Sequence, residues 1–214
     1  MVLGDVDFYS VFDLFLLLLI GMGPKISLVP FLELTQGMEA DVQKKMADKM
    51  VRTAVSAALV LVIIGWFLMR LLHFSPGSAN IAGGIVLMLL ALHMLVGPSK
   101  QEHHEESEGR DPMQMAVYPL AVPYTLNPAG IAALVIASDE MDSLLFAAAL
   151  IGLVLLVGAI DFAIFRNIDK LSKHLDPSRL VLTEAIFGVL LAALAVQLMV
   201  DGLAELGIIT LIDY

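Results

Sequence analysis

The sequence predicts an all-α fold: a polytopic six-helix transmembrane bundle built from two inverted three-helix repeats, with helices 1 and 4 broken. Three observations predict it. Of the 214 residues, 59% are hydrophobic and 16% charged, and mean hydropathy is +0.88, whereas a soluble domain is roughly 45–50% apolar and about 25% charged. Six apolar runs reach or approach the ~20 residues that span a bilayer. Two of those runs are interrupted by proline after a small or amide residue, at Gly23-Pro24 and Asn127-Pro128, and the two prolines stand 104 positions apart.

In chain order the runs are Phe8–Leu34, Ala54–Leu72, Ala79–Val96, Met115–Ser138, Ser143–Phe165 and Leu180–Leu206. Helices are the only candidates, because none shows the strict alternation of a barrel strand. The acidic opening MVLGDVDF lacks the basic start of a signal peptide, so the first run reads as a retained span. Cysteine is absent, which excludes disulfides and thiolate metal sites. The formal net charge of −10 is uninformative about partners until the charges are assigned to sides of the membrane.

Lysine and arginine make that assignment. Lys44, Lys45, Lys49 and Arg52 follow helix 1, Lys100 and Arg110 follow helix 3, and Arg166, Lys170, Lys173 and Arg179 follow helix 5. All fall on one side. Arg70 is alone on the other, and Lys25 lies inside a span. The bias predicts a cell inner-membrane protein with its basic loops in the cytoplasm and both termini outside.

The 104-residue offset also lays GIVLMLLALHMLV (Gly84 to Val96) onto GVLLAALAVQLMV (Gly188 to Val200) without a gap, His93 opposite Gln197. Residues 1–97 and 115–214 then form two three-helix repeats joined by an acidic cytoplasmic loop, 98–114. Three being odd, the second copy crosses the membrane in the opposite sense, a plan shared by many secondary transporters. Proline at the first helical position costs little, and Asn or Gly before it is a good cap. Each break therefore reads as the start of a second half-helix near the bilayer midplane, leaving N–H groups and a positive dipole end exposed to a polar pocket. Irregular backbone survives at that depth only beside protein or water. The plainer reading is a pair of proline kinks that tune packing.

Together, GPKISLVPFLELT, NIAGGIVLMLLALHML and AVYPLAVPYTLNPAGI, with LLAALAVQLMVDGL near the C-terminus, resemble the MarC family of integral membrane proteins. The resemblance covers nearly the whole chain. It implies six transmembrane helices and, for members with an assigned activity, ion-driven transport of small neutral amino acids. In the first motif Pro24, Pro30, Phe31 and Thr35 match, while Gly23 replaces Asn and Ile26 replaces Gly. In the fourth-helix motif Pro119, Leu120, Ala121, Pro123, Pro128 and Ile131 match. There Asn127 replaces Gly, and Ala129-Gly130 inverts the usual pair.

These breaks give the candidate substrate site: Gly23, Pro24, Lys25, Asn127, Pro128 and Gly130. A mid-span Lys costs ~2.5–3.5 kcal/mol to insert, so Lys25 is expected to meet a substrate carboxylate or an acidic neighbour, with snorkelling as the alternative. Asp161 and His93 are the candidates for ion coupling. Against them stand a headgroup position near Arg166 for Asp161 and interhelical hydrogen bonding for His93 and Gln197. Ala82, Gly83 and Gly84 read as a packing face, and EHHEESE (Glu102–Glu108) as a solvated loop. No phosphate loop, hydrolytic triad or zinc motif is present, so no cofactor, no metal and no nucleic-acid partner is expected. The expected partners are a small-molecule substrate (an amino acid), a coupling cation and membrane lipid. The leading function is secondary transport by alternating access. An intramembrane enzyme using Asp161, Lys25 and His93, and a non-transporting scaffold, are the alternatives.

Overall fold

A computed structural model describes residues 8–96, 111–139, 143–168 and 177–210. Every regular element among them is helical: α1 (Phe8–Met22), α2 (Pro24–Leu34), α3 (Ala40–Leu72), α4 (Pro76–Val96), α5 (Pro128–Asp139), α6 (Leu144–Arg166) and α7 (Pro177–Glu205), besides a single turn at Pro112–Met115 and a wide irregular segment at Ala116–Thr125. Among the described residues four stretches are long and apolar enough to cross a membrane, five if the bent pair before and after Asn127 counts as one span; the described apolar part of α4, Pro76–Leu92, is shorter. Large apolar side chains face outward along α3, α4, α6 and α7, Ile63, Leu89, Leu156 and Val189 among them. Monomeric soluble proteins rarely display apolar surface on this scale; here it fits lipid.

The first break follows from local chemistry. Pro24 has no N–H and restricts the residue before it to extended conformations. Gly23 takes φ −85°, ψ 172°, and α2 restarts with proline in its first turn. The unwinding is local, and Leu14–Leu34 still runs as one 21-residue span. The chain then turns at Gly37 with φ +80°, a value glycine tolerates without strain.

The predicted span Ala54–Leu72 is longer than expected. Its helix begins at Ala40 and runs 33 residues, about 50 Å at 1.5 Å per residue, so most of the polar stretch before it is helix rather than loop. The cause is an unbroken apolar stripe: Met46, Met50, Ala54, Ala58, Val62, Gly65 and Met69 are buried at spacings of three and four. The charges lie opposite. Lys45 pairs with Asp41 one turn earlier at 2.6 Å, and its ammonium holds the Asp41 carboxyl below the usual carboxylate range.

The second break is sharper than the first. Pro112–Thr125 and Pro128–Ser138 meet at 68°. Tyr118 and Val122, each followed by proline, have extended torsions inside the wide segment, because the proline ring excludes helical values at the preceding residue. The wide turns close with bonds five residues apart, Leu126 N–H to Ala121 O at 2.8 Å and Thr125 Oγ1 to Leu120 O at 2.9 Å.

One buried core joins α1, α2, α3, the wide segment, α5 and α6, with Leu18, Met22, Phe31, Met50, Leu120 and Phe165 fully or almost fully buried. A second lies between α4 and α7 and takes in Ile26, Tyr124 and Ala129. The expected packing role is met at Gly83 and Gly84, while Ala82 is exposed and does not share it. A side chain on Gly84 would meet the Ala195 carbonyl and Met199, one on Gly188 would meet Leu95 and the Ala91 carbonyl, and one on Gly83 would meet Ala132 and Pro128. Gly84→Leu is expected to push α4 off α7 and cost about 1–3 kcal/mol, read as thermal unfolding in detergent. Gly152→Leu is the control, since no atom lies within 4 Å of its would-be Cβ.

Candidate functional site

The two breaks touch. In an unbroken helix the carbonyl of Ile20 accepts from the N–H four residues on, but that residue is Pro24. The side-chain Nδ2 of Asn127 donates to Ile20 O instead, at 2.8 Å. The next carbonyl, Gly21 O, accepts from the backbone N–H of Asn127 at 2.9 Å. The same side chain turns its Oδ1 to its own helix and accepts from Gly130 N–H at 3.0 Å, capping α5. One amide thus pairs groups freed at both breaks.

Glycine makes the approach possible. A Cβ on Gly130 would collide with the Gly21 backbone, and one on Gly21 with the Gly130 backbone. Gly21, Met22, Gly23 and Pro24 on one side, and Thr125 through Gly130 on the other, are all buried. The junction is packed shut in this conformation rather than hollow. Its two restarts differ in chemistry. The N-terminus of α5 is capped by Asn127, whereas Gly23 has no side chain to cap α2, so the first-turn N–H groups of α2 have no side-chain acceptor at the cap.

Of the residues singled out in the sequence, Gly23, Pro24, Asn127, Pro128 and Gly130 converge on this junction. Lys25, the second residue of α2, follows directly on Pro24 but is exposed. Asp161 lies elsewhere, on the buried face of α6 that also carries Val154, Val157, Gly158 and Phe165. Both of its carboxyl oxygens are buried without a hydrogen-bond partner, and Arg166 stacks instead over Phe162 at 5.4 Å. His93 stands in α4, and its side chain is outside the described residues, as are residues 97–110 of the acidic loop. Gln197 does not bridge helices: its Nε2 donates to Asp201 Oδ1 one turn along α7, at 2.7 Å.

Sequence reasoning passed over Ile20 and Gly21, although a carbonyl four residues before a mid-span proline is always vacated. It also passed over Pro119 and Pro123 as breakers. A shallow, open surface depression lies away from the junction, lined by Lys45, Asp48, Lys49, Arg52, Thr53 and Ser56 on the face of α3 opposite its buried stripe. Among the described residues no group of three or more His, Asp or Glu is placed to hold a metal ion.

Several apolar helices, outward apolar faces and irregular backbone sealed inside them define a multi-pass integral membrane protein. The chain belongs to the MarC family of integral membrane proteins, whose family model matches residues 8–207. It is similar to the UPF0056 membrane protein of Archaeoglobus fulgidus, 27% identical over 94% of this chain and 95% of the relative. UPF0056 membrane protein MJ1677 of Methanocaldococcus jannaschii is 26% identical over 81% of this chain and 85% of its own. UPF0056 membrane protein YhcE of Escherichia coli is 26% identical over 92% and 93%. No solved structure matches.

Proposed function

We propose that this chain is a secondary transporter of a small polar solute, a neutral amino acid being the favoured class, driven by H⁺ or Na⁺ through alternating access of two inverted three-helix repeats. The junction carries the reading. Carbonyls at the end of α1 and uncapped N–H groups at the start of α2 present opposite partial charges at one depth. A zwitterion has the groups to use both: its ammonium for Ile20 O and Gly21 O, its carboxylate for the first turn of α2. Asn127 occupies the carbonyls in the closed state, so an entering substrate exchanges one set of bonds for another. Lys25, one residue into α2, adds positive charge at the rim.

The glycine contacts support the repeat. Gly84 packs on Ala195 and Met199, and Gly188 on Ala91 and Leu95. Adding 104 to Gly84, and subtracting it from Ala195 and Met199, gives Gly188, Ala91 and Leu95, as a two-fold relation requires. In this arrangement the basic start of α3 and the Arg166 end of α6 face the cytoplasm of the cell inner membrane, with the termini outside.

Counterflow in proteoliposomes tests the function. Vesicles loaded with an unlabelled neutral amino acid should accumulate the labelled one, at least tenfold above protein-free vesicles. No flux of any amino acid, under exchange or under an imposed ion gradient, defeats the proposal. Product formation without flux would favour the intramembrane enzyme.

A further inference from the structure

The buried carboxyl of Asp161 has no role in the junction's geometry, and its surroundings define what it can bind. It sits between Gly158, whose missing side chain admits Val55 of α3, and Phe165, whose ring packs on Phe31 of α2 at 5.1 Å. It is 0% exposed, and both oxygens lack a partner. Arg166, five residues on, places it about 7 Å inside the end of α6. Leaving a bare carboxylate there costs several kcal/mol, and an unpaired neutral one still forfeits its hydrogen bonds. Packing alone is better served by leucine, so the acid sits there at a cost.

Charges on the helices packed against α6 do not neutralise it. Lys45, Asp48, Lys49 and Arg52 line the open depression on the other face of α3. Lys25 of α2 is exposed, and Glu33 of α2 is partly exposed near its far end. The side chain of Asp13 in α1 is outside the described residues.

We propose that Asp161 is the proton-carrying group of this transporter, and that its coupling ion is H⁺ rather than Na⁺. The inference rests on the transport reading and deepens it. A hard metal cation is held by several oxygen ligands, whereas neither Asp161 oxygen has a polar partner and the adjoining turns of α6 pack on Val55 and Phe31. Helix-interior carbonyls nearby are committed to their own ladders. A proton needs one oxygen. The step is simple: the carboxylate takes a proton from hydronium, releasing water, when the α3–α6 interface is open to one side, and returns it to water on the other. The neutral acid is the form that can be buried, so protonation favours the closed interface. α2 links the two sites, since Pro24 borders the junction and Phe31, two turns on, packs on Phe165. A change at either end of this helix biases the same two-state element.

Dicyclohexylcarbodiimide tests the site without transport, because this apolar reagent couples to protonated carboxyls in apolar surroundings. Treated in membranes and read by peptide mass spectrometry, the full-length protein should carry the adduct at Asp161. Labelling should fall as pH rises and stay unchanged by 100 mM Na⁺ (about the concentration at which exposed charges are already screened). An unlabelled Asp161, or one protected by Na⁺, overturns the proposal. In proteoliposomes, Asp161→Asn should lower amino acid accumulation driven by a pH gradient at least tenfold; wild-type accumulation in the variant also overturns it. Absence of counterflow in the wild type would instead defeat the transport reading, leaving the labelling result to stand by itself.

Discussion

Gly130→Val is expected to cost about 3 kcal/mol or more and to abolish uptake. The new Cβ would fall on the carbonyl, carbonyl carbon and Cα of Gly21. Backbone cannot rotate out of the way as the end of a long side chain can, so α1 and α5 must separate. Overpacking a membrane core or a soluble one typically costs 1–3 kcal/mol, and separation here adds the bonds that Asn127 makes across the gap. Gly21 is already glycine, so no substitution opposite can restore the space. Thermal unfolding in detergent and counterflow check both halves of the expectation. Unfolding that matches wild type would mean that the two breaks need not touch in the folded protein.

The breaks were legible because proline acts locally. A mid-span proline removes one N–H and straightens the residue before it, and both consequences can be read without a partner. So can the restart that follows. What filled the vacated carbonyl of Ile20 was not legible, since its donor lies 107 residues away and only the tertiary fold brings it near. Asn127 drew attention as a cap, which it is, while its second bond was invisible. The extension of α3 was concealed by composition: lysines and aspartates in 40–53 look like loop until the buried methionines are counted at helical spacing. The wide segment was concealed in the opposite way, its apolar residues outweighing Pro119 and Pro123. Asp161 was conspicuous in the sequence, but its isolation was not, because Arg166 one turn on offered a partner that the structure gives to Phe162.

This account makes Asn127 a shared solution to two separate defects, and that has a consequence for its removal. Asn127→Leu keeps the volume and deletes every polar bond of the side chain. It strands Ile20 O on one helix and Gly130 N–H on the other, each costing about 1–3 kcal/mol when buried. The variant should unfold at lower temperature than wild type and lose counterflow. Pro24→Ala acts on the first defect by another route, returning the N–H that Ile20 O lacks. In the double variant that carbonyl is paired within its own helix, so the stability lost in Asn127→Leu should be recovered in part, by about 1–3 kcal/mol. Counterflow should not return, because the carbonyl end of α1 is then closed to any outside donor, substrate included. Strict additivity of the two substitutions would mean that Pro24 and Asn127 do not share Ile20 O. Recovery of stability together with transport would mean that the broken helix is a packing feature, and that solute is bound somewhere else.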